Sequence, residues 1–308
     1  MSLSSNLNPD VVKTALDDVF YQTFNGTSHP NHSDATDEGV FHQSTVSNAA
    51  VIWEEFKGVG NWEVRAEEDD VPAGNPRVDN KKTFSVVNYS KSVDITKNLF
   101  DDDMHSVIDN TIMSFARRAK TTRDQTAFGI YRGAFATTTT AEGSYLVSDT
   151  HTNLNGDTID NKLTAVLSPT SLEDAIVALG EMKAQDSVIE GHIPSCLLVP
   201  MKLFKDAVEI TESRLESDTA NNAVNWSTKY GIRIATSPYL GAAAGGSDTA
   251  WFLLAEGHSV YRFVRQGVET SLVDWKFQRN NNYIYKGEYR EVYGAMSYAG
   301  IVGSLGTA

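Results

Sequence analysis

His151 stands in the run Asp149, Thr150, His151, Thr152, Asn153, Leu154, Asn155, Gly156 and Asp157, the most site-like grouping of donors in the chain. Asn153, Asn155 and Gly156 follow His151 at intervals close to those of a calcium loop. Such a loop opens on a carboxylate and closes on a bidentate Glu, whereas here His151 opens it and Lys162 stands at the closing position. Asn and Asp side chains that bond their own backbone also produce loops of this composition. The expectation is therefore a polar structural loop. The competing reading is a metal-dependent hydrolase centred on Asp149, His151 and Asp157.

Other chemistry is sparse. Cys196 is the single cysteine and lies in the apolar run Cys196, Leu197, Leu198, Val199, Pro200, where a buried structural thiol is expected rather than a nucleophile. The chain lacks a phosphate-cradling Gly-x-x-x-x-Gly-Lys, a Gly-x-Gly-x-x-Gly fingerprint, a His-Glu-x-x-His pair and a Gly-x-Ser-x-Gly elbow. His29, His32, His42, His105, His151, His192 and His258 are scattered singly, and no carboxylate pair declares itself. The reading is that the chain is not an enzyme, with no catalytic, cofactor-binding or metal residues and no cofactor.

The charged residues with the clearest pattern point to contact instead. Glu67, Glu68, Asp69 and Asp70 precede the turn cluster of residues 71–76, and Arg77, Lys81 and Lys82 follow it. Trp62, Val64 and Ala66 alternate with polar residues before the turn, as do Phe84, Val86, Val93 and Ile95 after it. Residues 51–98 are thus expected to form one long β-hairpin. Its charges either pair across the strands or set the register of a projecting arm on an adjacent subunit. Deleting residues 62–82 should then leave a folded subunit that makes no stable shell. A second basic group, Arg117, Arg118, Lys120 and Arg123, is expected to meet acids of its own or a neighbouring subunit, with weak nucleic-acid contact as the second reading.

The elements that position these charges follow from periodicity. Met104, Ile108, Ile112, Phe115 and Ala119 form one helical stripe, and Asp101, Asp102 and Asp103 suit the positive end of that helix. If helical to Ala134 it would be a rod about 50 Å long at about 1.5 Å per residue. Residues 1–50 are polar with only a few helical turns around Val11, Val12, Ala15, Val19 and Phe20. They read as an arm that could not fold alone and that a neighbouring subunit ties down. Thr170 with Glu173 forms a capping box for a helix carrying Leu172, Ile176, Leu179 and Met182. Strands are expected at 193–199, 230–235, 251–255 and 260–264, with a β-rich end from Val268 onward.

The chain has 308 residues, enough for a sizeable core and for two substructures. Its formal charge of −14 argues against a nucleic-acid binder, since phosphate contact needs a basic footprint, but not against a shell that encloses nucleic acid. One cysteine fits a reducing compartment, and neither a signal peptide nor an apolar run of membrane-spanning length is present.

Three stretches carry a resemblance to a known family: residues 146–156, the run Leu167 to Ile176, and the strand, proline and helix of residues 196–207, followed by Tyr230 to Pro238. Together with the order arm, hairpin, long helix, mixed segment and β-rich end, they resemble the major capsid (head) proteins of tailed phages, especially the Mu-like major head subunits. The resemblance implies an α+β chain with the Hong Kong 97-type capsid fold: N-terminal arm at 1–50, extended loop at 51–98, peripheral domain with its spine helix at 99–140 and 258–308, and axial domain at 141–257. It implies hexamers and pentamers that close an icosahedral head around double-stranded DNA, assembled in the host cytoplasm, with a portal and possibly a cement protein. Because the chain opens on a short arm, any scaffolding protein is expected to be separate. The Lys–Asn cross-links of some members are not carried over, because nothing marks Lys57, Lys81 or Lys82 as the lysine. Another phage structural protein, from a tail or a decoration, is the remaining alternative.

Overall fold

A computed structural model of the chain describes residues 9–26, 32–67, 69–74, 76–102, 106–213, 224–278, 280 and 282–307. In chain order the first elements are α1 (Pro9–Phe24), β1 (His42–Thr45), β2 (Ala50–Lys57), β3 (Arg77–Ser85), β4 (Val87–Thr96), α2 (Lys97–Asp102) and α3 (Val107–Arg132). Next come β5 (His151–Thr152), β6 (Thr158–Ile159), β7 (Lys162–Leu163), α4 (Pro169–Gly180), β8 (Pro194–Pro200) and α5 (Phe204–Glu212). The chain continues through β9 (Arg233–Ser237), β10 (Trp251–Ala255), β11 (Val260–Val273), β12 (Asn282–Ala295) and β13 (Ile301–Ser304).

Two sheets organise these elements. One is four-stranded in the order β1-β11-β12-β4, with β1 parallel to β11 and the other pairs antiparallel. The other is five-stranded in the order β7-β13-β10-β8-β9. Both faces of this second sheet are covered at its centre, so β8 and β10 read as near-continuous apolar runs rather than alternating. Cys196 and Leu198 of β8, with Phe252 and Leu254 of β10, look into a core shared with Phe41, Phe128, Tyr131 and Tyr293. Leu197, Val199, Trp251 and Leu253 look the other way, onto Leu172 and Leu179 of α4 and Ala207 and Ile210 of α5. The thiol of Cys196 is buried, which pushes it up to about 12 and makes it an inert packing group, as its setting in the sequence implies.

The long helix α3 connects the two sheets. Ile108, Ile112 and Phe115 pack against the four-stranded sheet through Tyr283 and Tyr285, while Phe128 and Tyr131 belong to the core under the five-stranded one. It is shorter than expected: 26 residues, hence about 39 Å at about 1.5 Å per residue. The continuous rod from residue 101 does not form. α2 ends at Asp102 and Ser106 is left-handed at φ 54° immediately before α3. Asp and Ser side chains compete for backbone hydrogen bonds and favour helix ends over interiors, so Asp101 and Asp102 close α2 rather than opening the long helix. Met104 and His105 lie outside the described residues.

The N-terminal segment departs furthest from the sequence reading. Val12, Leu16, Phe20 and Phe24 are one face of α1 and are buried against Phe115, Ile112 and Tyr285 of the same chain. Further on, Ala35, Val40 and Phe41 enter the core beside α3, and β1 pairs with β11 from His42↔Tyr261 to Thr45↔Val264. A neighbouring subunit is therefore not needed to order residues 9–26 and 32–46. Every fourth residue of α1 is a large apolar group, a stripe that outweighs the polar average of the segment.

Two smaller expectations are also corrected. The cap of α4 is Ser168, whose hydroxyl accepts from the Ser171 backbone while the Ser171 side chain answers it, so Thr170 and Glu173 are not the capping box. The last strand does not stay with the four-stranded sheet, because β13 lies between β7 and β10 in the other one.

Candidate inter-subunit surfaces

The ribbon of β2 and β3 pairs from Ala50↔Ser85 to Lys57↔Arg77 and stops there. Residues 58–76 continue beyond it with no strand among the described residues. The alternation of Trp62, Val64 and Ala66 therefore has no partner strand, contrary to the single long hairpin expected. Trp62 is 98% exposed, and Val59, Val64 and Val71 are exposed with it. Glu67, Asp69 and Asp70 are exposed on the same excursion; Glu68 lies outside the described residues.

The acids and bases do not form a ladder across a hairpin, because the bases sit at its root. Lys81 meets Glu54 at 2.6 Å, directly opposite it in register. Arg77 donates to the Leu154 carbonyl at 3.5 Å. Lys82 turns inward: its ammonium donates to the Thr139 carbonyl and, at 3.4 Å, to that of Ala295, and it lies over the Phe84 ring. Burial holds the Lys82 ammonium below the usual lysine range. On the paired strand β2, Glu55 is buried, accepts from Asn80 Nδ2 at 2.8 Å, and is raised above the usual carboxylate range by burial. Phe84 occupies space left by Gly294: a Cβ there would clash with the edge of the Phe84 ring. The root of the excursion is thus anchored in the body and its far part is solvent-exposed. The glycine in an otherwise regular strand was the sequence signal for this anchor.

The basic group on α3 divides in two. Arg117 and Arg118 are exposed. Lys120 faces Asp34 at 3.7 Å and donates to the Gly26 carbonyl, while Arg123 is buried over the Phe24 ring beside Asp124. Only the first pair is available to a partner.

The structure does not bring Asp149, His151 and Asp157 together. Asp149 is exposed and 3.6 Å from Lys162, and Asp157 pairs with Lys183 at 3.1 Å. His151 is fully buried: Nδ1 contacts a Glu142 carboxylate oxygen, Nε2 lies 3.1 Å from Asn161 Oδ1, and the ring packs on Tyr298. Asn153 Oδ1 accepts from the backbone of Asn155 and Asp157, the self-bonded loop that composition implies. Among the described residues no group of three or more His, Cys, Asp or Glu could hold a metal ion.

Three hollows follow β4, the strand at the end of the four-stranded sheet. One of about 490 Å³ lies between Tyr89 and Lys91 of β4 and Phe115 and Arg118 of α3, with Phe20 and Gly287 on its walls. One of about 450 Å³ continues it past Val93. The third, about 440 Å³, is on the opposite face, where Ser90 and Ser92 adjoin Ser271, Lys286 and Glu288. Among the described residues no strand pairs with the outer edge of β4.

A β-ribbon at one end, a long helix crossing from one sheet to another, and an α+β body together define the Hong Kong 97-type capsid architecture. Solved structures share it over nearly the full chain. The capsid structure of the cyanophage P-SCSP1u matches with 12% identity over 90% of this chain and 89% of that one, at a TM-score of 0.58. The capsid of an empty GTA particle matches with 12% identity over 98% and 100%, at 0.55. A virus-like particle from Pyrococcus furiosus matches with 9% identity over 94% and 98%, at 0.54. At such identities the likeness is one of fold. The chain itself belongs to the phage capsid protein family, whose profile matches residues 80–303, and it is a major capsid protein of a phage virion. That family description does not single out the Mu-like head subunits. No curated protein matches the chain.

Proposed function

We propose that this subunit closes with identical copies, as hexamers and pentamers, into an icosahedral head around double-stranded DNA. The domain division expected from the sequence carries over with one change: the four-stranded sheet and α3 form the peripheral part, and the five-stranded sheet, including β13, forms the axial part. The role is structural rather than catalytic. Assembly takes place in the host cytoplasm, with a scaffolding protein, a portal and a cement protein as partners. The excess of acid over base keeps the enclosed DNA from adhering to the shell.

The observation that carries this reading is the excursion of residues 58–76, which presents Trp62 and neighbouring apolar side chains to solvent with no cover from the body. Exposed apolar groups of that size mark contact surfaces. Because residues 77–85 belong to β3 and carry the anchors Lys82 and Phe84, the informative deletion is narrower than residues 62–82. Removing 61–74 and bridging the ends with a short glycine linker should leave a folded subunit that makes no stable shells. Normal particles by negative-stain microscopy and sedimentation would refute the reading.

A further inference from the structure

Asparagine is followed by glycine twice in this chain, at Asn25-Gly26 and at Asn155-Gly156. The pair carries its own chemistry. The glycine backbone nitrogen can attack the asparagine side-chain carbonyl carbon, because no Cβ on the glycine stands in the way. The two sites hold the same reactants in opposite surroundings, so each is the control for the other.

Asn155 is tied down. Its Nδ2 donates to Ser187 Oγ at 3.0 Å, and its backbone N–H donates to Asn153 Oδ1 at 3.1 Å. The Gly156 nitrogen, the atom that would attack, donates to the Asn153 carbonyl at 3.0 Å, and the Asp157 N–H closes the turn onto Asn153 Oδ1 at 2.8 Å. Asn25, by contrast, follows the last residue of α1 and is exposed, and its side chain makes no hydrogen bond among the described residues. The Gly26 nitrogen lies 3.3 Å from the Thr23 carbonyl oxygen, just beyond the usual range for such a bond. Helix ends of this kind open most readily.

We propose that Asn25 is a site of spontaneous deamidation and that Asn155 is not. The Gly26 nitrogen bonds to the Asn25 Cγ and gives up its proton, the side-chain amide leaves as ammonia, and a cyclic imide remains. Water then opens the ring at one carbonyl or the other. The product is aspartate, or isoaspartate with the main chain routed through the former side chain. Water is the only co-reactant, and nothing is oxidised or reduced.

The product changes the seat of α1. A new carboxylate meets the negative end of the helix dipole, and the last turn of α1 holds no basic residue to offset it. Isoaspartate also inserts a methylene between Phe24, which stacks on Phe20 and lies under Arg123, and Gly26, whose carbonyl accepts from Lys120 Nζ at 3.1 Å. Conversion therefore loosens the end of α1 where it rests on α3.

The test holds the full chain folded in mildly alkaline heavy-oxygen water and, in parallel, in denaturant, and follows both asparagine–glycine peptides by mass spectrometry. Ring opening places one heavy oxygen in each product. In the folded chain Asn25 should convert about tenfold faster than Asn155, which must first release its bonds to Ser187 and Asn153; in denaturant the rates should be similar. Gly26→Ala, whose added methyl would lie 3.2 Å from the Thr23 carbonyl oxygen at an exposed turn, should suppress conversion at Asn25 and leave the fold intact. Asn25→Asp should speed hydrogen exchange in the last turn of α1. Equal rates at the two sites in the folded chain, or an Asn25 that converts only in denaturant, would overturn the assignment. Unchanged exchange in Asn25→Asp would overturn the loosening of α1.

Discussion

His42 and His258 lie ring upon ring, with centroids 4.2 Å apart and planes 27° from parallel. His42 opens β1 and His258 precedes β11, so the contact fastens the N-terminal segment to the body. Burial, and then the proximity of His42, push His258 down to about 3; Asp37 and the Gly39 backbone oppose this more weakly. A histidine held below its unfolded value stabilises the fold above about pH 6.5, and that contribution is lost as pH falls toward 3. At about 1.36 kcal/mol per pH unit, the loss between pH 7 and pH 4 is about 3 kcal/mol. Denaturant unfolding of wild type and His258→Phe at both pH values should show a shallower acid slope in the variant.

Asp124 predicts the opposite slope. Burial pushes its carboxyl up to about 6, although Ala35 N–H donates to it at 3.0 Å and Arg123 is adjacent. A carboxyl raised in the fold binds its proton more tightly there than in the open chain, so its contribution diminishes as pH rises from about 4 to 6. Asp124→Asn keeps the acceptor for Ala35 but cannot ionise. The expected result is a stability curve flatter by about 3 kcal/mol over that interval, by the same conversion. An unchanged curve would show that Asp124 is not the titrating group.

Gly294 and Phe84 should behave as one unit. A methyl at position 294 would clash with the edge of the Phe84 ring, so Gly294→Ala must displace that ring from its seat at the loop root. Overpacking of this kind costs about 1–3 kcal/mol. The double variant Gly294→Ala, Phe84→Leu should recover part of it. A double-mutant cycle by thermal unfolding measures the coupling, and additive effects would refute it.

Arg262 donates to Glu291 at 2.9 and 2.7 Å and to Gln43 at 3.2 Å, and Tyr293 donates to the other Glu291 oxygen at 2.9 Å. The network crosses β1, β11 and β12 inside the protein. Breaking one side of a buried pair costs about 3–5 kcal/mol, because the remaining charge is stranded. Glu291→Leu should therefore destabilise more than Glu291→Leu combined with Arg262→Met, as read by urea midpoints.

What the sequence made legible was pattern that local periodicity controls. The α3 stripe of Ile108, Ile112 and Phe115, the two-faced burial of residues 196–199 and the self-bonded loop around Asn153 were all readable, because each is decided within a turn or a strand. What it concealed depended on distant partners. Lys82 looked like a surface charge until Thr139 and Ala295 closed over it, and the partners that occupy both nitrogens of His151, Glu142 and Asn161, were not readable from its own loop. The strand alternation at Trp62 was real as a pattern but finds no mate in its own chain. Mean polarity misjudged α1, where four apolar residues on one face decide the packing.

The place of β13 between β7 and β10 bears on biosynthesis. Residues 301–304 are made after nearly everything they touch, and until they arrive the flank of β10, with Trp251, Leu253 and Leu254, stays open. A growing polypeptide on the ribosome therefore cannot finish its second sheet early, and crowded polysomes carry subunits unready to associate. Translation arrested before residue 301 should yield chains that a protease cuts readily, and resistance to cleavage in such chains would contradict this timing.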